Sequence, residues 1–186
     1  MLFRSRGFGL PWRDSIVPSP DPGVEAVAEQ EPPIVLATAA ETRAFGHQLA
    51  ALLPPAALLL LSGPLGAGKT CLVQGLAEAL GVREPVTSPT FALAQHYPGL
   101  VHLDLYRLPG GGAADELFAQ EEEVARELGW LLAVEWPERL CWPPCDAWRL
   151  RLEPAGEGRH LWLQSPSPLG FNPDPAAPGP AAAADG

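Results

Sequence analysis

The sequence predicts an α/β protein in which helices cover both faces of a mixed central sheet, giving three layers. Three observations support this prediction. The run Ala57–Leu61 is apolar throughout, as expected of a strand buried on both faces. The glycine-rich segment Gly63–Thr70 follows it and leads into Lys69–Leu80, which has helical spacing and ends before Gly81. Further apolar runs follow downstream on either side of one more helical pattern.

The other elements are predicted from local patterns along the chain. Short apolar or alternating runs predict strands, and apolar residues three and four positions apart predict helices. The acidic segment Asp115–Leu128 is expected to be an exposed helix, and the last two strands are expected to form a hairpin. The predicted strands are Pro33–Ala37, Ala57–Leu61, Phe91–His96, Val101–Leu105, Trp130–Val134, Trp148–Leu152 and Arg159–Leu163, and the predicted helices are Glu41–Leu53, Lys69–Leu80 and Asp115–Leu128.

The distribution of proline limits the size of the folded domain. The chain has 186 residues and 23 prolines, and twelve of these prolines lie in residues 1–33 and 164–186. Segments of this composition bury too little apolar surface to fold. We therefore predict a folded domain over residues 34–163. A disordered proline-rich extension (1–33) is expected before it, and a disordered tail rich in proline and alanine (164–186) after it.

Charge and cysteine content exclude some classes of function. The chain has 22 Asp and Glu against 12 Lys and Arg, a net charge of −10, so it lacks the basic surface of a protein that binds nucleic acid by itself. No apolar run approaches the roughly 18 residues of a membrane span. Three cysteines without a secretory signal favour a reducing compartment, and we expect a cytoplasmic location.

The most specific motif is the complete G-x-x-x-x-G-K-[ST] phosphate-binding loop over Gly63–Thr70. Its glycines let successive backbone N–H groups face phosphate oxygens, and the helix that follows adds its positive N-terminal end. Lys69, the only lysine in the chain, is suited to neutralise the β- and γ-phosphates. The Thr70 hydroxyl is a hard oxygen ligand for Mg²⁺. The motif therefore predicts a P-loop NTPase-like fold that binds the phosphates of a nucleotide together with Mg²⁺.

Two acidic residues at predicted strand ends are candidates for a second carboxylate in this site. Asp104 follows the apolar run 100–103, and Glu135 follows the run 131–134. Ligands of α/β sheets gather at the carboxyl ends of strands, which favours both acids. Between them and the P-loop helix lies Thr87–Phe91, which we call the switch-like loop. Its Ser-Pro-Thr sequence offers hydroxyl groups that could sense a γ-phosphate, although the same sequence alone is typical of a turn.

Together these motifs resemble the TsaE (YjeE) family. The resemblance is collinear over about residues 34–163 and rests on Gly63–Thr70, Ser88–Phe91, His102–Leu108, Glu116–Leu117 and Val134–Glu138. It implies a small P-loop ATPase that is required for threonylcarbamoylation of adenosine 37 in ANN-decoding tRNAs. It also implies two partners, the transferase TsaD and the non-catalytic protein TsaB, with tRNA contacted only through the complex. In that setting, ATP hydrolysis is expected to reset the transferase between turnovers.

The resemblance also implies roles for single residues. Lys69, Thr90, Asp104 and Glu135 are implied to be catalytic, with Asp104 supporting hydrolysis. Thr70 and Glu135 are implied to be the Mg²⁺ ligands. The implied ATP-binding residues are Gly63, Gly66, Ala67, Gly68, Lys69, Thr70 and Cys71 around the phosphates, Trp136 beside the site, and Thr38, Thr42, Gly158 and Arg159 at the adenine end.

Two positions depart from the family pattern, and two other functions stay open. Cys71 replaces a usual second threonine, which removes a hydroxyl group and is expected to weaken nucleotide binding, and Pro64 is expected to stiffen the loop. The residues alone also fit a small P-loop kinase of a metabolite, although such a kinase is expected to carry arginines on a lid. After Asp104 the chain offers only Arg107 and Arg126 before the next strand. A nucleotide-binding adaptor that never hydrolyses ATP is the third possibility.

Overall fold

The computed structural model describes residues 32–166 and the backbone of Val17–Pro18. These residues form eight strands, three α-helices and one 3-10 turn, which lies over Pro137–Arg139. The strands are β1 (Val17–Pro18), β2 (Ile34–Leu36), β3 (Leu58–Ser62), β4 (Ala94–Tyr97), β5 (Leu100–Asp104), β6 (Leu131–Glu135), β7 (Trp148–Ala155) and β8 (Gly158–Ser165), and the helices are α1 (Ala39–Ala50), α2 (Lys69–Ala79) and α3 (Gly112–Leu128).

All eight strands belong to one mixed sheet, in the order β1-β8-β7-β3-β6-β5-β4, with β2 also paired to β8. The central strands β7, β3, β6 and β5 are mutually parallel, whereas β4, β8 and β2 pair in antiparallel fashion with β5, β7 and β8. The carboxyl ends of the parallel strands therefore lie on one edge of the sheet. At this edge Asp104 of β5 is directly in register with Glu135 of β6.

The helices cover both faces of the sheet and bury two apolar cores. Helices α1 and α2 pack on the face that carries Leu59 and Leu61 of β3. Helix α3 packs on the opposite face, which carries Leu58 and Leu60. Successive residues of a strand point to opposite faces, so a strand covered on both sides is apolar at every position. The predicted three-layer α/β fold with a mixed sheet is confirmed.

The segment directly before β4 is predicted from the sequence to belong to this strand but forms a turn. β4 begins at Ala94, and the expectation that this strand starts at Phe91 is wrong. Phe91 lies in a turn with 85% of its surface exposed. The turn is closed by the N–H of Leu93, which donates to the carbonyl of Pro89 over 2.6 Å, and Leu93 has a φ of +67°. Every predicted element boundary, including this one, lies within three residues of the observed boundary.

The structure describes only short pieces of the two terminal segments. Strand β8 runs to Ser165, two residues beyond the predicted end of the folded domain. The pair Val17–Pro18 lies in the predicted N-terminal extension and pairs with Gln164 and Ser165. The remainder of residues 1–33 and 164–186 lies almost entirely outside the described residues, so the disorder predicted there stays a prediction. In the described part of the chain, no helix combines the length and the apolar character needed to cross a membrane.

Candidate active site

The loop between β3 and α2 curls tightly because three of its glycines adopt backbone conformations with positive φ. These angles are +138° at Gly63, +80° at Gly66 and +104° at Gly68. A Cβ atom at Gly63 would lie 2.2 Å from the carbonyl oxygen of Leu152, so this position also needs glycine for space. Beside Gly66, in contrast, a Cβ atom would meet nothing within 4 Å. Gly68 precedes α2 without a side chain to cap it, so the positive helix end faces the loop.

Lys69 opens α2 and is almost completely buried, with 4% of its surface exposed. Its Nζ donates hydrogen bonds to the carbonyl oxygens of Gly63 (2.8 Å) and Pro64 (3.0 Å). Burial lowers the pKa of this ammonium group, because the charged form loses hydration. Nearby carboxylates oppose that shift, in decreasing order Glu135, Glu138 and Asp104. The ammonium group is therefore held at the loop by neutral carbonyl groups, within the field of several acids.

Thr70 is tied to the strand-end acid Glu135. Its hydroxyl donates to Oε1 of Glu135 over 2.7 Å, and Glu135 is buried with 3% exposure. The same Oε1 lies 3.0 Å from Nε2 of His102, a fully buried residue of β5. A carboxylate only accepts hydrogen bonds, so Nε2 of His102 is the donor. Both donors therefore converge on Oε1, and Oε2 of Glu135 has no hydrogen-bond partner among the described residues.

Asp104 lies beside Glu135 and has hydrogen bonds on both carboxylate oxygens. Oδ2 accepts from the hydroxyl groups of Ser88 and Thr90, each at 2.7 Å, and Oδ1 accepts from the backbone N–H of Tyr106 at 3.0 Å. The two hydroxyl oxygens are 2.6 Å apart. Asp104 is 2% exposed. The switch-like loop is thus fastened to the end of β5 by a buried carboxylate.

Trp136 forms an aromatic wall next to the lysine. It follows Glu135 in a left-handed conformation (φ 61°, ψ 50°), which is uncommon for a bulky residue. Its ring centre is 4.8 Å from that of Tyr106 and 4.2 Å from Nζ of Lys69. The contact with Nζ is a cation–π interaction. The backbone turn after β6 therefore places an indole ring beside the P-loop lysine.

On the other side of the loop, β8 brings Arg159 against α1 and Gly68. Nη1 of Arg159 donates to the Thr42 hydroxyl, and the guanidinium group lies 3.2–3.3 Å from the position of a Cβ atom on Gly68. The buried Thr42 hydroxyl donates in turn to the carbonyl of Thr38 over 3.1 Å. Thr38 itself is the N-cap of α1 and uses its hydroxyl to accept from a first-turn backbone N–H. Of the residues assigned to the adenine end, only Arg159 therefore lies against the phosphate loop in the described residues, and Thr42 is linked to it through the guanidinium group.

Three further predicted site residues contact the neighbouring backbone. The Sγ of Cys71 donates to the carbonyl of Ala39 at 3.2 Å and so joins α2 to α1. The N–H of Ala67 donates to the carbonyl of Pro64 at 3.1 Å, within the loop. Gly158 allows β8 to approach the chain just after β2, since a Cβ atom there would lie 2.4 Å from the carbonyl oxygen of Leu36.

Sequence reasoning missed two members of this site as functional candidates, His102, which contacts Glu135, and Tyr106, whose ring packs at a tilt against Trp136. It offered the hydroxyl groups of the switch-like loop, but not the contact by which Ser88 shares Asp104 with Thr90. One signal was available for His102. In a strand, residues two apart share a face, so a polar residue two positions before Asp104 lies on the same face as the strand-end acid.

The side-chain oxygens of Thr70 and Glu135 are suitable ligands for a magnesium ion. A hydroxyl and a carboxylate oxygen lie 2.7 Å apart next to the phosphate loop, and Mg²⁺ prefers such hard oxygen ligands. Within residues 32–166 no cluster of three or more His, Cys, Asp and Glu side chains could hold a metal ion. A two-ligand site agrees with the usual Mg²⁺ site, where nucleotide phosphates and water complete the coordination. The open turn beside Gly66 and the uncapped start of α2 fit an anionic phosphate group in the same way.

A strand, a glycine-rich turn and a helix in this geometry, with an acid on the adjacent parallel strand, form the nucleotide-binding unit of P-loop NTPases, and the chain has that fold. The family profile described as "Threonylcarbamoyl adenosine biosynthesis protein TsaE" matches residues 36–161. This match covers more than half of the chain, and the chain belongs to the TsaE family.

Individual relatives agree with this assignment. A Streptomyces coelicolor protein named tRNA threonylcarbamoyladenosine biosynthesis protein TsaE is 47% identical over 102 residues, covering 52% of this chain and 67% of that protein. A Nostoc protein of the same name is 37% identical over 138 residues, covering 70% of this chain and 83% of that protein. The crystal structure of Bacillus subtilis YdiB aligns with a TM-score of 0.51 and 28% identity, covering 68% of this chain and 79% of that one.

Proposed function

We propose that this chain is the ATP-binding and ATP-hydrolysing subunit of the system that makes threonylcarbamoyladenosine at position 37 of ANN-decoding tRNAs. The observation that carries the proposal is the convergence of Lys69, Thr70 and Glu135 at the phosphate loop of a TsaE-family chain. The names of the relatives place those proteins in tRNA threonylcarbamoyladenosine biosynthesis. Hydrolysis of ATP in such a site needs little covalent chemistry from the protein, because catalysis is mainly positioning and charge stabilisation.

Each residue around the loop has a defined task in this proposal. Lys69 exchanges its two carbonyl partners for phosphate oxygens, and the backbone of Gly66 and Gly68 lies against the phosphates. Thr70 and Glu135 hold Mg²⁺ through their oxygens. The bound metal supplies positive charge that offsets the charge of the phosphates.

Asp104 and the switch-like loop form the part of the site that supports hydrolysis. Asp104 holds the hydroxyl groups of Ser88 and Thr90 next to the end of β5, one strand away from Glu135. In this position a loop hydroxyl is suited to respond to the terminal phosphate, in the manner of other switch loops. Trp136 covers Lys69 on one side of the site, and Arg159 with Thr42 closes the other side near Gly68, where we place the adenosine.

The charge of the chain supports a role inside a complex. A protein with a net charge of −10 is poorly suited to bind tRNA by itself. We therefore propose that it acts with TsaD-like and TsaB-like proteins in the cytoplasm, that tRNA is reached through them, and that ATP hydrolysis resets the transferase between turnovers. The acidic helix α3 is one candidate contact for a basic surface on a partner.

The test is ATP hydrolysis by the purified chain, measured alone and with TsaD and TsaB equivalents and tRNA. We expect the partners to stimulate phosphate release, and Lys69→Ala and Glu135→Ala each to abolish it along with threonylcarbamoylation of the tRNA. Asp146→Asn is a matched control, because Asp146 is exposed and precedes β7, at the sheet edge opposite the site. Normal hydrolysis by both Lys69→Ala and Glu135→Ala in the reconstituted complex would contradict the proposal. Partner-independent transfer of phosphate to a metabolite would favour a kinase, and nucleotide binding without turnover would favour an adaptor.

A further inference from the structure

His102 is a buried polar residue for which the fold alone gives no reason. It lies in the middle of β5 with 0% of its surface exposed, and its neighbours Val101 and Leu103 are equally buried. Its Nδ1 has no hydrogen-bond partner among the described residues. A buried polar atom without a partner lowers stability, so an apolar residue would suit this strand better. The single hydrogen bond of the imidazole goes to Oε1 of Glu135.

The position of His102 in the sheet fits a role in orienting Glu135. His102 is in register with Ala133, and Asp104 is in register with Glu135 two residues further along the same pair of strands. His102, Asp104 and Glu135 therefore share one face of the sheet. Both strands are fixed by their own ladder hydrogen bonds, so the donor Nε2 and the acceptor Oε1 are held by rigid elements.

The two hydrogen-bond donors to Glu135 differ in their distance from the proposed metal and phosphates. Thr70 lies in the phosphate-loop helix and its oxygen is the other proposed metal ligand, whereas His102 lies in the sheet away from the phosphates. Both bond to Oε1 and leave Oε2 without a partner among the described residues. A hydrogen bond from His102 to Oε1 therefore restricts rotation of the carboxylate and keeps Oε2 available.

We propose that His102 is a positioning residue that sets the orientation of the Glu135 carboxylate and thereby the strength of metal-dependent nucleotide binding. This inference rests on the proposed function, which makes Glu135 a metal ligand. Hydrogen-bond partners of metal ligands typically contribute about 10- to 100-fold to metal affinity. His102 does not contact the nucleotide in this proposal, so nucleotide binding without metal is independent of it.

The experiment compares two substitutions at this position with one beside it. His102→Leu removes the donor and keeps an apolar side chain of similar size. His102→Gln keeps an N–H donor at about the distance of Nε2 from the backbone. Val101→Ala is the matched control: it disturbs the same strand at equal burial, but its side chain lies on the opposite face, in the core under α3.

The readouts are ADP affinity by calorimetry, with excess EDTA and with Mg²⁺, and binding of Mn²⁺ to the ADP complex by electron paramagnetic resonance. We call the ratio of ADP affinity with Mg²⁺ to that with EDTA the gain from Mg²⁺. We expect His102→Leu to bind ADP normally in EDTA, to reduce the gain from Mg²⁺ by about tenfold or more, and to bind Mn²⁺ correspondingly more weakly. We expect His102→Gln to restore most of this loss, and Val101→Ala to lower the melting temperature without changing the gain from Mg²⁺.

Three results would overturn the inference. They are an unchanged gain from Mg²⁺ in His102→Leu, an equal loss of ADP affinity with and without metal, and a failure of His102→Gln to improve on His102→Leu. The unsubstituted protein distinguishes this failure from that of the proposed function. If the unsubstituted protein binds ADP with a clear gain from Mg²⁺ and the His102 variants show the same gain, only the role of His102 is wrong. If it shows no such gain, both proposals are wrong.

Discussion

Glu135 and Asp104 are two buried acids at the same edge of the same sheet, yet their hydrogen bonds differ. They end adjacent parallel strands in direct register and are 3% and 2% exposed. Asp104 has donors on both oxygens, and two of its three donors are hydroxyl groups of the switch-like loop. Glu135 has two donors on a single oxygen, from a helix and a strand. One acid thus has both oxygens engaged by the protein, and the other keeps an oxygen for a ligand.

The origin of the donors explains what each acid does for the structure. The donors to Glu135 lie on α2 and β5, which are stabilised by their own backbone hydrogen bonds and would stay in place without it. The hydroxyl donors to Asp104 lie in an irregular segment. Hydrogen bonds to a charged group contribute about 1.5–3 kcal/mol each, so Asp104 holds this loop in place. Changing Glu135 should therefore alter chemistry more than structure, and changing Asp104 should do the reverse.

The largest effect is expected for Glu135→Gln. The amide keeps the size of the side chain but loses the charge that binds the metal. Since outer partners of metal ligands already contribute about 10- to 100-fold, we expect partner-stimulated ATP hydrolysis to fall by about 100-fold or more. The gain in ADP affinity from Mg²⁺, measured by calorimetry, should also disappear. Asp146→Asn controls for the loss of one carboxylate, and hydrolysis by Glu135→Gln within about twofold of the unsubstituted protein would contradict a ligand role.

Asp104→Asn is expected to have an intermediate effect that appears first in the loop. In Asn one of the two acceptor oxygens becomes an NH₂ group, which only donates, so the Ser88 and Thr90 hydroxyl groups and the Tyr106 N–H can no longer all be accepted, and the hydrogen bonds that remain lose their charge. Loss of one charge-assisted hydrogen bond of about 1.5 kcal/mol corresponds to roughly tenfold faster hydrogen exchange for amides of the switch-like loop. We expect hydrolysis to fall less than in Glu135→Gln and the gain from Mg²⁺ to be retained. Unchanged exchange in the loop together with a lost gain from Mg²⁺ would reverse the assignment of the two acids.

Removing the loop hydroxyl groups one at a time should produce smaller effects. Thr90 is half-buried and Ser88 is exposed, so water can replace the Ser88 contact more easily. We expect Thr90→Val to lower the free energy of unfolding in urea by about 1–2 kcal/mol and Ser88→Ala by about 0.5–1 kcal/mol. Ser62→Ala is the matched control, because its hydroxyl donates to a neutral carbonyl at 3.3 Å. A larger loss for Ser62→Ala than for Thr90→Val would show that Asp104 is not the anchor of the loop.

Much of this site could be predicted because it is encoded by local spacing. The apolar β3, the glycines of the loop and the lysine that opens α2 are adjacent in the sequence, and the loop needs positive φ at Gly63, Gly66 and Gly68. Asp104 and Glu135 could also be predicted as strand-end acids, since the carboxyl ends of parallel strands share an edge.

The individual contacts of these side chains could not be predicted, because they depend on strand register, on a turn and on helix packing. His102 meets Glu135 only because β5 and β6 pair in one particular register. Phe91 has high strand propensity, yet the hydrogen bond from Leu93 to Pro89 reverses the chain there and leaves Phe91 exposed. Cys71 meets Ala39 through the packing of two helices, which the spacing within either helix does not specify.

The smallest expected effect is the change in the pKa of Lys69 when Glu135 or Asp104 loses its charge. Lys69 is the only lysine, so protein with ¹³C-labelled lysine gives a single ε-methylene signal whose titration can be followed by NMR. Burial lowers the pKa below 10.5, and the carboxylates raise it, Glu135 more than Asp104. Removing a negative charge disfavours the ammonium form. We therefore expect the midpoint to fall in both variants, and further in Glu135→Gln than in Asp104→Asn.

The same shift predicts how stability depends on pH. Between the lowered pKa of the folded protein and 10.5, the folded state has released the Lys69 proton while the unfolded chain still binds it. Stability conferred at this position therefore rises with pH across that interval, and Lys69→Met should remove the rise. Because Glu135→Gln lowers the folded pKa further, it should widen the interval towards lower pH more than Asp104→Asn does. The opposite order would mean that Asp104, which has both oxygens engaged by the protein, and not Glu135, dominates the electrostatic field at the phosphate loop.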